Sequence, residues 1–159
     1  MFELASAYPQ LNDYYGVLVG LAYSVPYCLF GLLGGAATNK FNRKYLMISI
    51  MSLMSLTQVC NGAIDSFMVF AVMRFLHGCL SSFINPVSYS LLADYFPPDR
   101  RGTANSILSA ANYLAIALSS LTIILIKNFG WRLAYTIMGG FGLSFSVLAA
   151  LVLKIPKRG

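Results

Sequence analysis

The sequence is poor in charged residues. Only 10% of its 159 residues are Asp, Glu, Lys or Arg, whereas a typical soluble domain carries about 25%. Hydrophobic residues make up 58% of the chain, and its mean hydropathy is +0.70. A folded chain of this size with so few charges could not cover its own surface in water. The composition therefore excludes an ordinary soluble domain and predicts a membrane protein.

Several chemical groupings are missing as well. The chain has one His, no Ser-His-acid set, no glycine-rich phosphate loop and no carboxylate pair inside an apolar segment, so no enzyme and no cofactor are predicted. Cys28, Cys60 and Cys79 lie in apolar segments without the spacing of a metal site or a disulfide. The net charge of +6 comes from short basic clusters between apolar segments. Because these clusters form no continuous stripe, nucleic acid is not a predicted partner.

Long apolar segments account for most of the chain. A transmembrane helix needs about 20 mainly apolar residues. Hydrocarbon admits only helices or closed barrels, and these segments lack the alternation of strands. The predicted fold class is therefore all-α, a polytopic helical bundle in a lipid bilayer. The five predicted spans cover residues 14–38, 46–63, 67–93, 104–126 and 133–153.

Basic residues between these spans predict an orientation. If the spans alternate, eight of them fall on one side and only Lys127 and Arg132 on the other. This asymmetry predicts a multi-pass protein with a cytoplasmic C-terminus, in either the plasma membrane or an organelle. The N-terminus is then on the outer side, and residues 1–10 are typical of the end of a helix and not of a signal peptide. The eight are Lys40, Arg43, Lys44, Arg100, Arg101, Lys154, Lys157 and Arg158.

Polar residues recur at helical spacing inside the spans. A repeat of three or four residues places side chains on one face of a helix. Such faces are expensive in lipid, so they form either hydrogen bonds between helices or a hydrophilic pathway. The candidate pathway residues are Tyr23 and Tyr27 in the first span, Arg74, His77, Ser81 and Asn85 in the third, and Asn112 in the fourth.

Arg74 is the most unusual of these residues. A guanidinium near the centre of a transmembrane helix costs at least about 2.5 kcal/mol on insertion scales. No acidic residue inside a span is available to neutralise it. We therefore expect Arg74 to attract an anionic or polar solute, the alternative being a structural tie to backbone carbonyls. His77 is either a proton-responsive group or a packing residue.

Glycine spacing predicts close contact between helices. Gly16 and Gly20, and then Gly31 and Gly35, are four residues apart in the first span. This spacing lets helix backbones approach one another. A second group in the fifth span predicts the same there; it consists of Gly139, Gly140 and Gly142.

Four segments resemble the major facilitator superfamily. Residues 34–46, GGAATNKFNRKYL, are similar to its cytoplasmic loop signature, G-x-L-A-D-R-x-G-R-R/K, with Gly35, Lys40, Arg43 and Lys44 matching. The other three are Arg74-x-x-x-Gly78, the stretch LADYFPPDRRG around Asp94, and GWRLAY at residues 130–135. Their order maps the chain onto helices two to six and the end of helix one. The resemblance implies a partial N-terminal domain over residues 1–159, with most of helix one and the second six-helix half outside it.

The resemblance implies a function and a gate. The family carries small solutes by alternating access, as secondary active transporters or facilitators, with the site between two halves. Arg74 and His77 would then approach the central cavity. Arg43 would form an exposed ion pair with Asp94 across the cytoplasmic ends of two helices. The implied gate residues are Gly35, Asn39, Arg43, Asp94 and Arg101.

Two further expectations come from the same comparison. Asn39 stands where the loop signature has Asp, which removes a charge that the family uses against its opposite half. The stretch LADYFPPDRRG also resembles, more weakly, the spinster-like branch, which moves lipids and related amphiphiles. The expected partners are the lipid bilayer, an anionic or amphiphilic small solute and a second transporter half. The alternative is a non-transporting membrane protein that keeps the fold as a binding or assembly module.

Overall fold

The fold consists of helices throughout its described part. The structure is a computed structural model that describes residues 20–64 and 66–153, apart from the side chains at positions 39 and 67. Within these residues it has no strand, and the predicted all-α membrane bundle is confirmed. Its helices are α1 Ala22–Lys40, α2 Arg43–Ala63, α3 Phe67–Tyr95, α4 Pro98–Ser119 and α5 Thr122–Val152.

The ends of the middle helices follow from local chemistry. The Asn42 side chain caps α2 by accepting a hydrogen bond of 3.1 Å from the Lys44 backbone N–H. Pro97 is extended and Pro98 opens α4, as expected of a proline in the first helical turn. The second and third predicted spans therefore agree closely with α2 and α3. The start of the first predicted span, at residue 14, lies outside the described residues.

The fourth and fifth helices differ from the predicted spans. The Ser119 and Ser120 hydroxyls donate to the carbonyls of Ile116 and Ala117, each at 2.6 Å, and the Leu121 N–H bonds to Leu118 three residues back. These local bonds compete with the regular ladder and end α4 at Ser119. Ser120 and Leu121 nevertheless keep helical backbone angles, so the chain continues into α5 without reversing.

The change of direction comes at Gly130, inside α5. Its φ of 76° and ψ of 161° lie in a region that is essentially confined to glycine. No other described residue has a positive φ. The turn predicted between residues 126 and 133 is therefore real, but it is a single-residue break and not a loop.

Apolar side chains cover the outside of the bundle, where a membrane would lie. Leu32 is 85% exposed and Leu151 is 79% exposed. Within the described residues, three helices are long and apolar enough to cross a membrane: Arg43–Ala63, Met68–Tyr95 and Thr122–Val152. Helix α1, which is 19 residues long there, ends in the polar residues Thr38, Asn39 and Lys40, and α4 carries charges in its first turn.

Small residues join α2 to α5. The Ser52 and Ser146 hydroxyls are 2.7 Å apart, and Ser146 is only 2% exposed. A Cβ added at Gly139 would lie 2.8 Å from the Ser55 carbonyl oxygen, and one at Gly142 would clash with the Ser55 hydroxyl. The predicted close approach at Gly139 and Gly142 is confirmed. Backbones this close gain dispersion contacts that larger residues would prevent.

The contact of α1 with α3 uses different glycines from those predicted. A Cβ at Gly78 would lie 2.6 Å from the Tyr23 carbonyl oxygen, and one at Gly34 would lie 3.3 Å from the Phe83 Cα. No described atom comes within 4 Å of such a Cβ at Gly31 or Gly35, and the same holds for Gly20 and Gly140. The prediction for Gly31 and Gly35 is therefore wrong within the described residues. Gly16 lies outside the described residues.

We predict that Gly139→Ala destabilises the bundle. The added methyl would meet the backbone of α2 at Ser55 and Val59, which cannot move without separating the helices. Overpacking of this kind costs about 1–3 kcal/mol. The thermal unfolding midpoint in detergent should fall by several degrees. Gly140→Ala is the matched control, because the space beside Gly140 is open; equal midpoints for the two variants would contradict the packing described.

Candidate functional site

A cluster of rings lies where α1, α2 and α3 meet. Tyr23 and Tyr27 of α1 stack with their ring centroids 5.9 Å apart. The His77 ring of α3 lies 6.4 Å from that of Tyr23, and its Nδ1 is 3.0 Å from the Thr57 Oγ1 of α2. The Thr57 hydroxyl donates its one hydrogen to the Met54 carbonyl at 2.7 Å, so its oxygen is left to accept from a His77 tautomer protonated at Nδ1. His77 therefore connects three helices.

Asn85 extends this cluster along α3. Its Nδ2 donates a hydrogen bond of 3.1 Å to the Tyr27 hydroxyl, at an exposed position. The structure thus brings together four of the predicted pathway residues: Tyr23, Tyr27, His77 and Asn85. They form a polar face between α1 and α3.

Arg74 lies apart from this cluster, against α5. Its Nη2 donates to the Tyr135 hydroxyl. The guanidinium carbon is 5.3 Å from the centre of the Phe70 ring and 5.4 Å from that of Tyr135. Contacts at this range are favourable cation–π interactions, and they strengthen as water is excluded. The charge is therefore held by aromatic rings and a phenol.

Some buried polar atoms of Arg74 and of Asn61 have no hydrogen-bond partner among the described residues. The buried Nε of Arg74 has no hydrogen-bond partner in the described structure, and no ion pair is found there for Arg74. Asn61 lies one helical turn beyond Thr57 and is only 1% exposed, yet both polar atoms of its amide lack partners as well. Buried polar groups normally bond to protein or to ordered water. The region can therefore accept further hydrogen-bonding groups.

Ser81 and Asn112 do not join either group. Ser81 is buried, and its hydroxyl donates to the His77 carbonyl at 2.6 Å within α3. Asn112 is exposed on α4, which packs only weakly against α3. An apolar groove of about 600 Å³ separates these two helices, lined by residues such as Leu92, Ile107 and Leu108. None of the predicted pathway residues lines this groove.

Arg43 and Asp94 form the ion pair that the resemblance implies. The Arg43 Nη1 contacts the Asp94 Oδ1 and lies 3.5 Å from the Ser90 carbonyl. The expectation of an exposed pair is wrong, since the two side chains are only 23% and 13% exposed. Arg43 is the first residue of α2 and Asp94 lies near the end of α3. The contact between these two helix ends partly shields the ion pair from solvent. Pairs shielded in this way interact more strongly than surface pairs.

Arg101 closes the end of α3 at the same side of the bundle. Its Nη2 donates to the Ala93 carbonyl at 2.8 Å and its Nε to the Phe96 carbonyl at 3.1 Å. These are terminal carbonyls that lack partners within a helix. Gly35 accepts a bond from the Thr38 hydroxyl and has open space beside it. The side chain of Asn39 lies outside the described residues.

Sequence analysis missed several contributors to these clusters. Thr57, Asn61 and Phe70 belong to helix faces that look like ordinary packing in the sequence. In the sequence Tyr135 belongs to the motif at residues 130–135 and carries no predicted role, although it accepts a hydrogen bond from Arg74. Arginine in a membrane helix prefers an acceptor or an aromatic face, so a search for aromatic residues at a similar depth would have found it.

The geometry defines a polytopic helical membrane protein in which several polar groups, Arg74 and His77 among them, contact neighbouring helices. Residues 4–159 match the Major Facilitator Superfamily. The chain therefore belongs to the major facilitator superfamily of transporters.

Relatives and a solved structure agree with this assignment. The chain is 31% identical over 141 residues to a probable galactarate/D-glucarate transporter of Escherichia coli, covering 84% of this chain and 31% of that protein. It is 26% identical over 138 residues to a probable sulfoacetate transporter of Cupriavidus necator, covering 86% of this chain and 32% of that protein. The chain thus spans about a third of the length of these relatives.

The fold is also that of a known transporter. A bacterial homolog of the human lysosomal transporter Spinster, crystallised in an inward-facing and unoccupied conformation, superposes with a TM-score of 0.72 at 21% identity. The match covers 99% of this chain and 40% of the solved one. At this identity the likeness establishes the fold alone.

We predict that Arg43 and Asp94 are energetically coupled. Arg43→Gln and Asp94→Asn each leave one partly buried group without its partner, whereas the double variant leaves neither charged. The effects on the unfolding free energy should therefore be non-additive by about 1–3 kcal/mol, within the range measured for contacting residues. A double-mutant cycle in detergent measures this.

Lys40→Gln is the control for that cycle. It removes a nearby positive charge from an exposed position at the end of α1. It should add independently to Asp94→Asn. Strict additivity of Arg43→Gln with Asp94→Asn would show that the ion pair contributes nothing to stability.

Proposed function

We propose that this chain forms part of a solute transporter that binds small organic anions at Arg74 and works by alternating access. The proposal rests on Arg74, whose charge has no carboxylate partner in the described structure. Its guanidinium lies within a helix long and apolar enough to cross a membrane. A cation held in this way attracts an anion strongly, because little water screens it.

The chemistry of the relatives' named substrates supports an anion. Galactarate and D-glucarate carry two carboxylates each, and sulfoacetate carries a carboxylate and a sulfonate. A planar guanidinium matches such groups with parallel hydrogen bonds. The aromatic rings of Phe70 and Tyr135 flank the guanidinium without neutralising it. These features favour an organic acid over a neutral solute or an amphiphile.

The ring cluster at His77 extends the proposed site. Tyr23, Tyr27 and Asn85 offer hydroxyl and amide groups suited to the hydroxyls of a sugar acid. The proposed pathway therefore runs along α3 from Arg74 towards Asn85. Ser81 supports the backbone of this helix through its bond to His77 and does not contact the solute.

The pair of Arg43 and Asp94 is the proposed cytoplasmic gate. It joins the start of α2 to the end of α3, and Arg101 fixes the carbonyls beside it. An interaction present in only one conformation shifts the equilibrium by its own free energy. We propose that this pair favours one of the two access states, with Gly35 and Asn39 in the last turns of α1, which move against the second half.

A larger assembly around α4 is part of the same proposal. Helix α4 exposes Asn105 and Asn112, and it packs only weakly against α3. Such amides are costly against lipid. The relatives are about three times as long as the matched region. We propose that a second transporter half covers α4, and that the end of the bundle carrying Arg43 and Arg101 faces the cytoplasm, as the positive-inside rule requires.

We predict that Arg74→Gln weakens anion binding. The full-length protein in detergent would be titrated with D-glucarate and with neutral galactitol, using the rise in unfolding midpoint as the measure of binding. Loss of a hydrogen-bonded charge should weaken D-glucarate binding by at least about tenfold. Lys127→Gln, which removes an exposed cation of α5, should leave the affinity unchanged.

Reconstituted vesicles complete this test. Uptake of labelled D-glucarate should occur with the wild-type protein and fall sharply with Arg74→Gln. Binding that is equally strong in Arg74→Gln would refute the anion site. Binding without uptake would instead support a membrane binding or assembly module that retains the fold.

A further inference from the structure

We propose that Tyr135 is the second group of the anion site, which positions Arg74 and donates its own hydroxyl hydrogen to the bound acid. The inference rests on the proposed function of Arg74. It adds a residue from a different helix, α5, to a site that sequence reasoning placed on α1, α3 and α4.

The position of Tyr135 is fixed by its neighbours. Trp131 and Ala134, just after the break at Gly130, are 6% and 1% exposed and anchor this part of α5 in the bundle. The Tyr135 ring lies edge-on to both Trp131 and Phe70, with centroid separations of 6.3 Å in each case. Edge-to-face pairs of this kind are favourable and restrict the ring. The hydroxyl is therefore held at a defined place beside Arg74.

The hydrogen bonds around Tyr135 leave one donor free. A phenol has one hydrogen to donate and can also accept. Here the oxygen accepts from the Arg74 Nη2, and no described group takes the hydroxyl hydrogen. Donation from a cation polarises the phenol and strengthens the bond that it can make in turn. The hydroxyl is thus prepared to donate to an anion.

Arg74 has a hydrogen-bond donor that lacks an acceptor among the described residues. Its fork of five N–H donors has given one to Tyr135, while the buried Nε has no acceptor in the described structure. An acid bound beside this pair would receive hydrogen bonds from the guanidinium and from the phenol together. Two such donors favour a carboxylate or sulfonate over a neutral hydroxyl, because hydrogen bonds to an anion are stronger and the hydrogen of a hydroxyl would find no acceptor in either donor.

The test compares Tyr135→Phe with Arg74→Gln in the full-length protein. Tyr135→Phe keeps the ring beneath the guanidinium and removes only the hydroxyl. D-Glucarate binding should weaken by about tenfold, the size expected for one hydrogen bond to a charged group. The unfolding midpoint without ligand should fall slightly, because Arg74 loses its hydrogen bond to the phenol, and galactitol binding should not alter. Tyr113→Phe, at a 73% exposed position of α4, is the matched control.

The outcomes separate this inference from the function on which it rests. If Arg74→Gln abolishes D-glucarate binding while Tyr135→Phe retains full affinity, the role of Tyr135 is wrong and the anion site stands. If Arg74→Gln has no effect, both proposals are overturned. If Tyr135→Phe lowers the affinity only in proportion to a lower unfolding midpoint, its role is structural and the inference fails. The Tyr135→Leu variant, which loses ring and hydroxyl, should bind more weakly than Tyr135→Phe.

Discussion

A charged side chain inside a membrane helix has to find partners within the protein, and Arg74 shows how this chain meets that requirement. Hydrocarbon offers no hydrogen bonds, so the guanidinium turns towards α5, where the Tyr135 phenol accepts one of its hydrogens. The rings of Tyr135 and of Phe70, on its own helix α3, flank it. The solution is partial because no carboxylate among the described residues cancels the charge. The remaining attraction for an anion is what makes the proposed function physically reasonable.

The packing of the bundle makes this arrangement possible. Tyr135 can reach Arg74 only because α5 lies very close to α2, and that closeness depends on Gly139, Gly142 and the paired hydroxyls of Ser52 and Ser146. The break at Gly130 then sets where α5 begins its return through the bundle. Small residues that follow Tyr135 along α5 therefore help to determine the surroundings of the charge. In the same way, the absence of a side chain at Gly78 lets α1 approach α3 closely, and this approach brings Tyr23 beside His77.

Sequence reasoning predicted the fold well because long apolar segments have few alternatives in a bilayer. It also predicted the pair of Arg43 and Asp94, which a motif specifies directly. It placed the close helix contact of α1 at Gly31 and Gly35 and not at Gly34, because the spacing of small residues does not reveal which face meets a neighbour. It missed Tyr135 because the contact joins residues 61 positions apart, and periodicity within one helix carries no information about such pairs. The hydroxyl bonds of Ser119 and Ser120, which end α4 early, are likewise set by side-chain rotamers.

The central claim is that Arg74 holds the acidic group of the solute. A structure of the full-length protein determined with D-glucarate tests it most directly. The account predicts a carboxylate within about 2.7–3.2 Å of the Arg74 guanidinium, with the Tyr135 hydroxyl donating to the same group. D-Glucarate bound elsewhere, with Arg74 still bonded to Tyr135 alone, would contradict the account.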